Sequence, residues 1–123
     1  PSPARRIPLL QKPNPLSEAA LPESSPAARL SVEQLLDLYR WMVLSREIDA
    51  VEQELTSRGE AFFHVSGAGH EASAALAFFL TEDDWLHCHY RDKALLLARG
   101  MTPRNFFDSL FCKDGSESRG RQM

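Results

Sequence analysis

Seven of the eight prolines in this 123-residue chain fall within its first 28 residues, as Pro1, Pro3, Pro8, Pro13, Pro15, Pro22 and Pro26. Each one fixes φ and removes a backbone donor, so a segment interrupted every few residues builds neither a helix nor a central strand. Residues 1–30 are therefore expected to be an extended, proline-rich arm or linker, either disordered or laid over a partner surface, with Ile7, Leu9, Leu10 and Leu16 as its apolar anchors. The folded part is then confined to residues 31–123.

That part opens with "LSVEQLLDLYRWMVLSREIDAVEQELTSRG". Ser31 is a good N-cap and Gln34, three residues on, completes a capping box. Leu35, Leu38, Trp41, Met42, Leu44, Ile48, Val51 and Leu55 recur at three- and four-residue steps, which places them on one face of a helix that Gly59 ends. A helix of about 28 residues is about 42 Å long at 1.5 Å per residue, and its apolar stripe asks for more cover than the remaining chain supplies. After it, "AFFHV" reads as a short strand, His70 to Leu80 as a second helix kept slim by Ala72, Ala74, Ala75 and Ala77, and "WLHCHY" as another strand. "RDKALLLARG" is a helix closed by Gly100, and Thr102 caps a last helix with Pro103 at its first position. The tail "DGSESRGRQM" reads as a loop that stays mobile until a ligand or partner orders it.

With 43% hydrophobic and 25% charged residues the chain has an ordinary globular make-up. A net charge of −3 gives no basic face for a nucleic acid. The longest apolar run, "ALAFFL", is far short of the ~20 residues that span a bilayer. No basic-then-apolar leader opens the chain, so the expected setting is the cytoplasm or an organelle matrix. Cys88 and Cys112 lack C-x-x-C spacing and read as free thiols. The missing initiator methionine and the ending in a loop are the marks expected of a piece of something larger.

Three stretches offer chemistry. In "FFHVSGAGHEASAA", Gly67, Gly69 and Ala72 have the G-x-G-x-x-A spacing of a dinucleotide fingerprint, which needs a preceding strand, free amide groups at a helix start and an acid some twenty residues on. At that distance stand Tyr90 and Arg91, which suit phosphate better than a ribose. His87 and His89 would share one side of a strand, with His64 and Glu71 as further ligands, but zinc ligands of this kind come with a second close pair. No metal ligand is assigned; one histidine is expected to be buried with a partner and the other solvated. In "HYRD", the Tyr90 hydroxyl and the Arg91 guanidinium form a donor pair suited to a diphosphate, unless Arg91 is simply the structural partner of an acid such as Asp84.

The order of "REID", "GAGHEA", "DDW", "HYRD", "ARGMTP" and "GRQM" from Leu35 to Met123 resembles the amino-terminal part of the alpha subunit, or alpha half of a fused chain, of thiamine-diphosphate-dependent 2-oxo acid dehydrogenases. "GHE" with "GRQM" is more similar to the branched-chain members than to the pyruvate members. The resemblance implies an α/β fold: residues 31–123 would be the incomplete amino-terminal helical portion of a thiamine-diphosphate-binding domain, preceded by the arm. It implies thiamine diphosphate held by Tyr90 and Arg91, with Phe63 at the substrate pocket and His64 as a catalytic residue. Mg2+ would be bound by a later G-D-G motif outside this sequence. The implied partners are the rest of the alpha chain, a beta subunit or beta half in a heterotetramer, and the lipoyl acyltransferase. The implied reaction is oxidative decarboxylation of a branched-chain 2-oxo acid with acyl transfer to a lipoyl group, and the fragment alone would be inactive. The competing readings are a non-catalytic helical assembly module and a dinucleotide-binding fragment.

Overall fold

A computed structural model describes residues 30–121. The expected arm, residues 1–30, lies outside the described residues but for Leu30, as do the last two residues of "GRQM". The first element is α1, Val32–Ser57, 26 residues and about 39 Å long. Its start is the capping box: Gln34 N donates to Ser31 Oγ at 3.2 Å, and Ser31 N donates to Gln34 Oε1 at 2.8 Å. Its end is a left-handed turn at Gly59, φ 75°. There the Gly59 and Glu60 amides donate back to the Thr56 and Leu55 carbonyls at 3.0 and 2.9 Å, a Schellman closure that glycine accommodates without strain.

Residues 58–70 then fold back along α1 and lead into a 3₁₀ helix, Glu71–Phe78. An irregular stretch precedes α2, Lys93–Ala98, and α3, Pro103–Leu110. At α3 the side chain of Asn105 accepts from the Thr102 amide at 2.9 Å, as the cap and the N1 proline predict. The 3₁₀ helix and α2 pack on each other and on α1, and α3 touches α1 more lightly. Ala74 and Ala94, 0% and 1% exposed, let these short elements approach closely. The small apolar core joins Ile48, Leu97 and Phe106, with Trp41, Leu96, Met101 and Phe107 against it. Trp41 meets Phe78 with ring centroids 5.5 Å apart.

The structure corrects three expectations. Neither "AFFHV" nor "WLHCHY" forms a strand, and among the described residues there is none. Alternating apolar residues make a strand only when a neighbouring backbone offers a ladder, and among the described residues neither segment has one. The alternation survives as burial: Leu86 and Cys88 are half-buried, whereas Trp85, His87 and His89 are all exposed. The second helix is a tighter 3₁₀ helix that begins at Glu71, not at His70. Finally, the buried face of α1 is Ser45, Ile48, Asp49 and Glu52. Of the stripe read from the sequence, Leu35, Leu44 and Val51 are exposed, together with Val32, Leu36, Tyr39 and Val43. At about 100° per residue the packed surface is rotated from the apolar stripe towards a polar flank, so that of the stripe only Ile48 is buried, and Leu38, Trp41, Met42 and Leu55 are half-buried.

Gly67 marks a close approach between chain segments. A Cβ built there would lie 3.0 Å from the carbonyl oxygen of Arg91. That neighbour is backbone and has little room to give, so glycine allows the turn to sit directly against the Tyr90–Arg91 segment. Gly67→Ala is therefore expected to destabilise the fold by about 1–3 kcal/mol, the usual result of overpacking. Thermal melts of the two proteins check this, and an unchanged melting temperature would mean the contact is loose.

Candidate functional site

The polar flank of α1 carries a buried cluster of charges. Asp49 Oδ1 accepts from Gly67 N at 2.8 Å, from Lys93 Nζ at 2.9 Å and from His64 Nε2 at 3.1 Å, while Oδ2 accepts from Ser66 Oγ at 2.6 Å. One turn further on, Glu52 Oε2 accepts from Lys93 Nζ at 2.5 Å and lies 3.8 Å from His64 Nε2. The side chains of Asp49, Glu52, His64 and Lys93 are each less than a tenth exposed. A second tie runs parallel to the first: Arg46 Nε meets Glu71 Oε1 at 2.7 Å, and Glu71 Oε2 accepts from Gly69 N at 2.9 Å. The acids of α1 and of the 3₁₀ helix thus hold both glycines of the turn.

Burial tends to push the Asp49 carboxyl up, but the bonds from Ser66, Gly67, Lys93 and His64 outweigh it and hold the group far below the usual carboxylate range. For Glu52 burial wins: its carboxyl is raised despite Lys93 and His64, and the Asp49 charge adds to the rise. Glu71 is lowered, because its own and the Gly69 amides, with Arg46, overcome its desolvation. The signs for stability are opposite. The Asp49 interactions contribute fully above the ordinary carboxylate pKa and are lost as pH falls through the depressed one. Ionised Glu52 costs stability above its raised pKa, and that cost is relieved as pH falls.

Asp49, Glu52 and His64 present ligand atoms within 4.8 Å of one another, a grouping able to hold a cation. The Lys93 ammonium already sits against both carboxylates, so the chain supplies this cation itself. The grouping weighed from the sequence is not formed: His64 joins the acids of α1, Glu71 pairs with Arg46, and His87 and His89 both face outward. The amides of Gly67 and Gly69, which a pyrophosphate would need, are given to Asp49 and Glu71. That removes the physical basis of the dinucleotide reading.

A cleft of about 370 Å³ opens beside the cluster. Phe63, His64 and Tyr90 line it together with Glu52, Lys93 and the apolar side chains of Leu96, Met101 and Phe106. Three of the four site residues expected from the sequence are thus brought to one cavity. Arg91 is not on its wall. Its guanidinium lies 5.6 Å from the centre of the Tyr90 ring, and its Nε is buried without a hydrogen-bond partner. The alternative partner, Asp84, instead accepts from the amide and hydroxyl of Thr81 at 2.6 and 2.8 Å. The sequence reading missed Asp49, Glu52 and Lys93. The available signal was a pair of acids three residues apart, with Asp49 adjacent to Ile48.

A family model described as dehydrogenase E1 component matches residues 39–123. The chain belongs to the dehydrogenase E1 component family. Among its relatives is the 2-oxoisovalerate dehydrogenase subunit alpha of Bacillus subtilis, 37% identical over 100 residues that make up 79% of this chain and 30% of that protein. The 3-methyl-2-oxobutanoate dehydrogenase subunit alpha of Mycobacterium tuberculosis is 34% identical over 89 residues, 67% of this chain and 24% of that protein. The pyruvate dehydrogenase E1 component subunit alpha of Bacillus subtilis is 34% identical over 116 residues, 94% of this chain and 29% of that protein. The chain spans less than a third of the length of these relatives. No solved structure matches it significantly. Three of the motifs that resemble the E1 component meet at these interactions: Arg46 and Asp49 of "REID", Gly67, Gly69 and Glu71 of "GAGHEA", and Lys93 directly after "HYRD". No helix among the described residues is long and apolar enough to cross a membrane.

Lys93→Met leaves two buried carboxylates facing each other without their cation. This is expected to destabilise the fold by about 3–5 kcal/mol at neutral pH, the cost of breaking a buried pair. Acid should relieve part of the loss as Glu52 takes up a proton, and Glu52→Gln in the same chain should relieve part of it at pH 7. Denaturant titrations of the three proteins across pH measure this. Equal stabilities at pH 7 would show that Lys93 is not the internal cation.

Proposed function

We propose that this chain is the amino-terminal portion of the alpha subunit, or alpha half, of a branched-chain 2-oxo acid dehydrogenase E1 component. Residues 31–123 form an incomplete part of its α/β thiamine-diphosphate-binding domain. The names and identities of the relatives support the branched-chain assignment. The observation that carries the site is the buried, unpartnered Nε of Arg91, next to Tyr90, which lines the cleft. A buried charged donor without a partner is costly, and a diphosphate is the acceptor such a fork suits. The donor set therefore fits thiamine diphosphate: Arg91 and the Tyr90 hydroxyl hold its diphosphate, and Mg2+ is bound by residues outside this sequence.

Thiamine diphosphate, when bound, supplies the electron sink for loss of carbon dioxide from a 2-oxo acid. The residues of this chain bind and shape. Tyr90 and Arg91 orient the diphosphate, Phe63 and the apolar wall of the cleft receive the hydrocarbon side of the substrate and keep water away, and His64 stands at the polar end. The remaining alpha residues, the beta subunit of a heterotetramer and a lipoyl acyltransferase complete the enzyme. The exposed apolar stripe of α1 supports such an assembly, since a helix with this much uncovered apolar surface is normally covered in its working state. Bacterial and mitochondrial relatives support the bacterial cytoplasm or the mitochondrial matrix as its place.

Arg91→Lys in the assembled enzyme removes one charge-assisted bond of the planar fork, an expected loss of about 1.5–3 kcal/mol. That corresponds to roughly ten- to over a hundredfold weaker thiamine diphosphate binding. Tyr90→Phe, which removes a neutral donor, should cost less. Calorimetric titration alongside melts of the cofactor-free protein tests the assignment. Unchanged affinity with a lowered melting temperature would make Arg91 a structural residue.

A further inference from the structure

His64 is 8% exposed at its side chain, yet it lines the cleft, so one edge of a nearly buried ring meets the ligand space. Its Nε2 is engaged by Asp49 at 3.1 Å and lies 3.8 Å from Glu52. A carboxylate only accepts, and Asp49 is kept ionised by its other donors, Ser66, Gly67 and Lys93. The proton of that contact must then reside on Nε2. In a neutral imidazole the lone pair is left on Nδ1, which makes none of these bonds.

We propose that Asp49 is the positioning residue of His64: it fixes the Nε2–H tautomer, so that Nδ1 is the atom that exchanges a proton with a ligand oxygen in the cleft. The exchange is a single transfer. The ligand O–H bond breaks, its electron pair stays on oxygen, and the Nδ1 lone pair forms the new N–H bond; return of the proton reverses each step. The imidazolium formed in between is steadied by Asp49 and Glu52, and Lys93 prevents those two acids from carrying an unbalanced charge. The identity of the ligand as a 2-oxo acid rests on the function proposed above, whereas the tautomer and the role of Asp49 rest on geometry alone. The charged and titratable groups facing the ring are Asp49 and Glu52 from α1 and Lys93 from α2. Tyr90 and Glu117 complete the titratable lining of the cleft.

The test has two arms. Long-range proton–nitrogen spectra of the full chain labelled with ¹⁵N-histidine should show His64 as the Nε2–H form at neutral pH. Asp49→Asn should give a mixture of tautomers, and Ser66→Ala, which frees only the other oxygen of Asp49, should keep the Nε2–H form. An Nδ1–H pattern in the unmodified chain would overturn the proposal, even where Asp49→Asn does not fold. In the assembled enzyme Asp49→Asn should lower kcat about 10²-fold, the low end of what a positioned acid–base group supplies. It should also move the acid limb of the pH profile. An unmoved acid limb would overturn the proton role. Unchanged thiamine diphosphate affinity in Arg91→Lys, with the His64 tautomer as expected, would instead count against the proposed function.

Discussion

One carboxylate organises this structure. Asp49 lies on the polar flank of a long helix, is buried, and uses both oxygens to accept four hydrogen bonds from two other segments: His64, Ser66 and Gly67 of the turn, and Lys93 of α2. The described chain has a small apolar core, so apolar burial alone specifies little about how the turn sits. The alternative to these bonds is a desolvated charge with no partner, which costs far more than each bond contributes. That asymmetry ties the glycine turn to α1, and through the contact of Gly67 with the Arg91 carbonyl it also sets the position of Tyr90 and Arg91.

The candidate site follows from this arrangement. The turn that Asp49 holds carries Phe63 and His64 to one wall of the cleft, and the segment against which Gly67 packs carries Tyr90 to another. Burying two acids, an ammonium and an imidazole together is a poor way to gain stability, because desolvation offsets most of the attraction. It does discriminate strongly among alternative packings, since any shift of α2 along α1 would separate Lys93 from both acids. Val32, Leu35, Leu36, Tyr39, Val43, Leu44 and Val51 of the same helix stay exposed, so the part of α1 that is packed is chosen by the charge cluster as much as by apolar residues.

What was legible in the sequence is what local chemistry determines. Ser31 with Gln34, Gly59, Gly100 and Thr102–Pro103 set helix ends through bonds within a few residues, and the structure has those ends. The ordered motifs pointed to the family, which the match over residues 39–123 bears out. Long-range facts were not legible. The period of Leu and Val residues identified the helix but not which flank would be packed, because Asp49 and Glu52 look like solvent-facing charges until Lys93, more than forty residues away, is placed beside them. The strands were misread because alternation in "WLHCHY" says nothing about whether a second backbone runs alongside. Tyr90, His64 and Phe63 reach a common cleft, while the separation of Arg91 from its wall depends on backbone path, which spacing does not encode.

The central claim is that the Asp49 carboxylate anchors the glycine turn, and the Gly67 amide reports on it directly because that N–H donates to Asp49 Oδ1 at 2.8 Å. Residue-resolved hydrogen exchange on the full chain should find this loop amide as slow as the amides in the middle of α1. In Asp49→Ala it should exchange at the rate of an open loop while the centre of α1 stays protected. Rapid exchange of Gly67 in the unmodified chain, or slow exchange that persists without the Asp49 carboxylate, would contradict the account.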